Sequence, residues 1–114
     1  MKAKLDGIYS PDLPSGYDEM PENPKDCWVI IHADIGVEGG QGMDCFTMYV
    51  TTPEFLSKSV RNDRYQLGRG LLILHEFDWE LVEQAINSVC SEIEADSWVD
   101  MENKLSKSFF YEYE

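Results

Sequence analysis

Between Gly70 and Ile93 the hydrophobic pattern changes period, and that change constrains the fold more than any other stretch. Leu71-Leu72-Ile73-Leu74 is an unbroken apolar run, too short to cross a membrane and the length of a buried strand. Just beyond it Trp79, Val82, Ile86, Val89, Cys90 and Ile93 recur at three- and four-residue steps, which is one stripe of an α-helix. Glu80, Glu83, Gln84, Asn87, Ser91 and Glu94 take the opposite stripe, so this helix should lie on a core with its acids in water. Asp78 is placed to cap it. A shorter helix from Trp98 to Leu105 follows, opened by Ser97 and Asp100 at capping-box spacing and turning Trp98, Met101 and Leu105 inward.

A helix with one apolar stripe needs a sheet to cover, and the strands are legible on either side. From Cys27 to Ile35, Cys27, Val29, Ile31, Ala33 and Ile35 make a wholly apolar face. Trp28, Ile30, His32 and Asp34 make the other, which turns polar towards its end. Gly36 to Gly42 is a glycine-rich turn, and Asp44 to Val50 pairs back as a hairpin. Residues 2–9 also alternate, with Ala3, Leu5 and Tyr9 expected on one face and Lys2, Lys4 and Asp6 on the other, near a sheet edge. Thr52-Pro53-Glu54 opens a helix with a hydroxyl at the N-cap, proline at the first position and an acid in the first turn; its Phe55, Leu56 and Val60 are expected to face the core. Phe109, Tyr111 and Tyr113 alternate with Phe110, Glu112 and Glu114 in a last strand. The proline-rich, acidic segment from Ser10 to Lys25 reads as a surface loop, either mobile or functional. The expected class is α+β: one domain over residues 1–114, a largely antiparallel β-sheet with helices packed mainly on one face.

Charge sets the choice of partners. Nine basic residues stand against 22 acidic ones, a net of −13. Between Arg69 and Lys104 there are nine carboxylates and no base. Such a field repels nucleic acid and anionic membranes and draws in basic protein surfaces. It also serves plain solubility. Cys27, Cys45 and Cys90 form neither a disulfide framework nor a zinc spacing. Charges occupy Met1 to Asp6, where a secretory leader needs an apolar run, so a cytoplasmic protein with reduced thiols is expected.

No catalytic residue, metal or cofactor is expected. His32 and Asp34 share a strand face, but His75 and Glu76 are neighbours on another strand and point to opposite sides, and no His-Glu-x-x-His motif occurs. A small metal-dependent hydrolase using His32, Asp34 and His75 is therefore a minor alternative. The Gly36–Gly42 turn fits no phosphate-binding pattern, and Glu38 within it would repel a phosphate. Trp79 and Trp98 read as core anchors, while Trp28 should lie partly exposed. Asp12, Asp18, Glu19 and Glu22 sit in irregular chain where no structural duty is expected of them.

Several pieces in order resemble the immunity protein 8 family of bacterial polymorphic-toxin and contact-dependent inhibition systems. They are Tyr9-Ser10-Pro11-Asp12, Ile35-Gly36 with its glycine-rich turn, and Thr52-Pro53-Glu54-Phe55-Leu56. They continue with Phe77-Asp78-Trp79, Asp96-Ser97-Trp98, Lys104-Leu105-Ser106 and Tyr111-Glu112-Tyr113; residues 13–26 are the least family-like. The resemblance implies a cytoplasmic antitoxin without enzymatic activity, which binds and neutralises the C-terminal domain of a cognate toxin. The −13 charge suits a basic nuclease as that toxin. The expected contacts are Asp12, Asp18, Glu19 and Glu22 of the loop, Trp28 and Asp34 of the strand, Glu38 and Gln41 of the glycine turn, and Glu80 and Glu83 of the helix. An acidic adaptor, or a nucleic-acid mimic that inhibits another nucleic-acid-binding protein, is the other alternative. Oligomeric state stays open.

Overall fold

The computed structural model describes residues 1–114, in five strands and three helices. In chain order these are β1 (Ala3–Tyr9), β2 (Trp28–Val37), β3 (Asp44–Thr51), α1 (Pro53–Asp63), β4 (Leu71–Ile73), α2 (Trp79–Glu92), α3 (Trp98–Leu105) and β5 (Phe110–Tyr111). The sheet runs β1-β2-β3-β4, with β1, β2 and β3 antiparallel. The far edge of β3 is shared: β4 pairs in parallel with Tyr49–Thr51, and β5 pairs antiparallel with Phe46 and Thr47. The α+β class expected from the sequence is the one observed.

Strand β2 is the spine, because its period-2 pattern fixes what each face meets. Val29, Ile31, Ala33 and Ile35 are all at most 2 % exposed, beside Phe46, Met48 and Val50 from β3. Onto them pack Val82, Ile86 and Cys90 of α2 and Met101 and Leu105 of α3, in one cluster that also holds Phe77, Trp79 and Phe109. Each fully buried Ile or Val there is worth roughly 1.5–3 kcal/mol of transfer free energy. The caps form as the sequence implies. Asp78 accepts from the Glu80 and Leu81 N–H groups, Thr52 from Phe55 N–H, and Ser97 from Asp100 N–H. The Asp100 carboxylate reaches back to Asp96 N–H, one residue ahead of the usual capping-box target.

Six expectations change. First, β1 and β2 shift register between Leu5 and Gly7, so Asp6 is an extra residue. Beyond this bulge Ile8, not Tyr9, continues the row of Ala3 and Leu5, and Tyr9 turns to the opposite face beside His32. Second, the apolar run at Leu71–Leu74 yields a three-residue edge strand with Ile73 53 % exposed, not a buried one. His75 and Glu76 fall in the bend after it. Third, α1 buries none of its residues; its Phe55 ring lies 5.7 Å from Trp28 instead of entering the core.

Fourth, the loop after β1 is anchored. Leu13 is buried, Tyr17 stacks on Trp79 at 4.9 Å and donates to Glu83, and Phe77 N–H donates to the Pro24 carbonyl. Two loop acids have structural duties after all: Asp12 accepts from the Ile30 N–H, and Glu19 accepts from the Ser15 N–H while its carbonyl takes the Trp79 indole N–H. Fifth, the final strand shrinks to Phe110–Tyr111. Sixth, Trp98 is only partly buried and packs at the margin of the core.

Besides its pairing with β3, the tail is clamped by Arg69. Arg69 donates to the carbonyls of Ser106 and Phe109 and to the Glu114 carboxylate, and its guanidinium sits 4.3 Å from the Phe110 ring centre. Gly70 makes room for that ring. Its φ is +75°, and a Cβ there would lie 2.3 Å from the Phe110 Cε2.

Candidate functional site

Helices α2 and α3 cover one face of the sheet; the other is flanked by α1, whose Phe55 meets Trp28, and its side chains are mostly half-buried. Alternation puts Trp28, Ile30, His32 and Asp34 of β2 on that open face, beside Cys45, Thr47 and Tyr49 of β3. Leu71 and Ile73 of β4, Phe110 of β5 and Tyr9 of β1 extend it. None of these side chains joins the buried cluster.

The open face has two halves. One is an aromatic band. Trp28 stacks on Tyr49 with ring centres 5.2 Å apart, Phe55 closes on Trp28 from α1, and Phe110 meets Tyr49 edge-on at 6.0 Å. Between Trp28, Tyr49, Gln66, Leu67, Arg69, Leu71 and Phe110 lies a shallow cavity of about 270 Å³. Leu67 at its rim is 75 % exposed. The guanidinium of Arg69 belongs to the tail clamp, so the band presents an apolar surface and not a free cation.

The other half is polar and acidic. Tyr9 and His32 have ring centres 5.2 Å apart, and His32 Nδ1 is 2.9 Å from Thr47 Oγ1. The Tyr9 hydroxyl lies 3.8 Å from Cys45 Sγ, and Asp34 is directly across the ladder from Cys45. Glu112 accepts from the Cys45 N–H. The Tyr9 phenol is pushed above its ordinary value first by its bond to Cys45 and by burial, then by the fields of Asp34 and Glu112. Burial pushes the Cys45 thiol up as well, and the same two carboxylates add to it. Asp34 has no ion-pair partner.

Of the residues expected to make contacts, only Trp28 and Asp34 share the open face, with Asp12 at its β2 edge. Asp18 and Glu22 are exposed in the loop after β1. Glu19 and Glu83 are tied to that loop's anchorage on α2. Glu38 and Gln41 lie at the β2–β3 turn, where Gln41 lines a cavity of about 410 Å³ with Met1, Val37, Gly42, Met43, Asp44 and Trp98. Glu80 is exposed on α2. His32, Asp34 and His75 are not gathered: no three His, Cys, Asp or Glu side chains stand close enough to hold a metal ion. Sequence reasoning missed Tyr9, Tyr49, Leu71 and Phe110. The alternation of Cys45, Thr47 and Tyr49 was the available signal, since it gave β3 a second aromatic-bearing face.

The open face thus joins a half-buried aromatic centre to an acidic flank. The family comparison names the class: the model of immunity protein 8 matches residues 3–114, and the chain belongs to that family. Immunity proteins bind a cognate toxin. Neither curated proteins nor solved structures provide a match. No helix is long and apolar enough to cross a membrane.

Proposed function

We propose that this protein works in the cytoplasm as a non-catalytic antitoxin that binds the C-terminal domain of a cognate toxin, a basic nuclease. It blocks that enzyme's active or substrate-binding site. The observation that carries the nuclease reading is the state of the carboxylates. Of 22 acidic residues, only Asp26, Glu94, Asp100 and Glu114 are in ion pairs. The remainder are spread over α2, both ends of the sheet and the loop after β1, as an unneutralised negative field. An enzyme that grips a phosphate backbone carries the opposite charge, so this field speeds their encounter and disfavours nucleic acid as a competing partner.

The test is co-expression of the full chain with the toxin domain encoded by the adjacent upstream gene. Rescue of growth and an equimolar complex that forms more slowly as salt rises are expected. Absence of both complex and rescue removes the antitoxin reading. A complex whose association rate is indifferent to salt removes the basic-partner part of it.

A further inference from the structure

We propose that the open face of the sheet is the surface that seats the toxin. The aromatic band of Trp28, Tyr49 and Phe110 is the apolar anchor, and the Tyr9–Asp34–Glu112 end accepts a cationic side chain of the partner. This rests on the antitoxin reading above and says where on the molecule that function resides.

Size is the first argument. Strand β2 has ten residues. At ~3.3 Å per residue and ~4.8 Å between strands, the four-strand face spans on the order of 500 Å² before its rims are counted. Phe55, Leu67 and the loop edge would have to supply the rest of the roughly 800 Å² per partner of a stable complex.

Composition is the second. Tight contacts draw affinity from a few central aromatic or arginine groups that lose their water, while peripheral charges mainly set the approach rate. The open face has such a centre. The outward side of α2 does not: Leu81, 44 % exposed, is its one large exposed hydrophobic side chain, and its Glu83 already holds Tyr17. The helix acids can steer a basic partner but give it little to settle on.

Charge is the third, and it selects the occupant. Asp34 stands on the face without an ion pair, and only one oxygen of Glu112 is used, by the Cys45 N–H. Lys4 is on the same side at the next strand and has no ion-pair partner either, yet it leaves the carboxylates in excess. A second copy of this chain would bring another −13 to the contact. A basic protein surface that carries an Arg or Lys beside an apolar side chain fits both halves at once.

The experiment measures binding of the full chain to the adjacent-gene toxin domain, with three variants that melt within a few degrees of the parent. Asp34→Lys and Tyr49→Ala are expected to weaken the complex by about tenfold or more, Tyr49→Ala through faster dissociation. Glu80→Lys is expected to stay within about threefold, with its effect on the association rate. Parent-like affinity in Asp34→Lys and Tyr49→Ala overturns the assignment of this face while leaving the antitoxin standing. Loss on Glu80→Lys alone moves the contact to α2. Concentration-dependent dimerisation of the free chain that Tyr49→Ala abolishes makes the face a self-contact and also overturns the proposal. If the parent chain forms no complex at all, the antitoxin reading falls first, which is a different result.

Discussion

The two faces of strand β2 make opposite statements about the same ten residues. Ile31 and Ile30 are neighbours of one type, yet Ile31 is fully buried under α2 and α3 while Ile30 is only half-buried beside Tyr49. The covered face is closed by the chain's own helices, so its side chains answer to folding. The open face carries comparable aromatic bulk, half-buried, with the Phe55 ring of α1 leaning on its Trp28 end. The part of those rings still in water is free energy available on association. One strand thus separates what makes the molecule stable from what makes it adhesive.

The sharpest way to break this comparison is to truncate the two isoleucines in turn. Ile31→Ala should cost about 2–5 kcal/mol in denaturant unfolding, because a packed site loses both transfer energy and close contacts. Equal losses at the two positions would dissolve the distinction between the faces. Gly70→Ala comes next, at about 1–3 kcal/mol, since the added methyl meets the Phe110 ring and φ is left-handed. Its melting curve should fall without the collapse expected of Ile31→Ala. Ile30→Ala should cost about 1 kcal/mol or less on the isolated chain, the range of partly exposed positions.

The smallest effect concerns the loop that closes the end of the covered face. Burial against Trp79, then the bond to Glu83, pushes the Tyr17 phenol up to about 12 from its ordinary 10. A phenol held protonated by the fold adds stability that is complete below pH 10 and is lost as pH rises from there through about 12. Parent and Tyr17→Phe melting temperatures should therefore converge across that alkaline window, the parent falling faster. Parallel pH curves would show that the loop's seat on α2 is energetically idle.

What the sequence revealed follows from how local each signal is. The stripe of α2, the caps at Asp78, Thr52 and Ser97, and the alternation of β2 are set within a few residues of chain, and all were readable. Tyr9 was misplaced because one extra residue at Asp6 leaves no mark in an alternating pattern until the partner strand is known. The run at Leu71–Leu74 looked buried because an apolar tetrapeptide is the same string at a sheet's centre and at its edge. The open face was hidden for a further reason. Its residues come from β1, β2, β3, β4 and β5, and only topology shows that α2 and α3 both pack on the other side. Trp28 and Asp34 were named as contacts, but nothing local joined them to Tyr49 or Phe110.

The bulge at Asp6 carries a consequence for how this protein can change length. An alternating strand behaves like a two-state counter, and the extra residue advances the count by one between Leu5 and Gly7. Deleting Asp6 itself would make Leu5–Ile35 and Gly7–Asp34 consecutive pairs of a regular ladder, with Ala3, Leu5 and Ile8 still inward and Tyr9 still outward. The strand can therefore shed its bulged residue without re-addressing either face, a change of length that a regular strand does not tolerate.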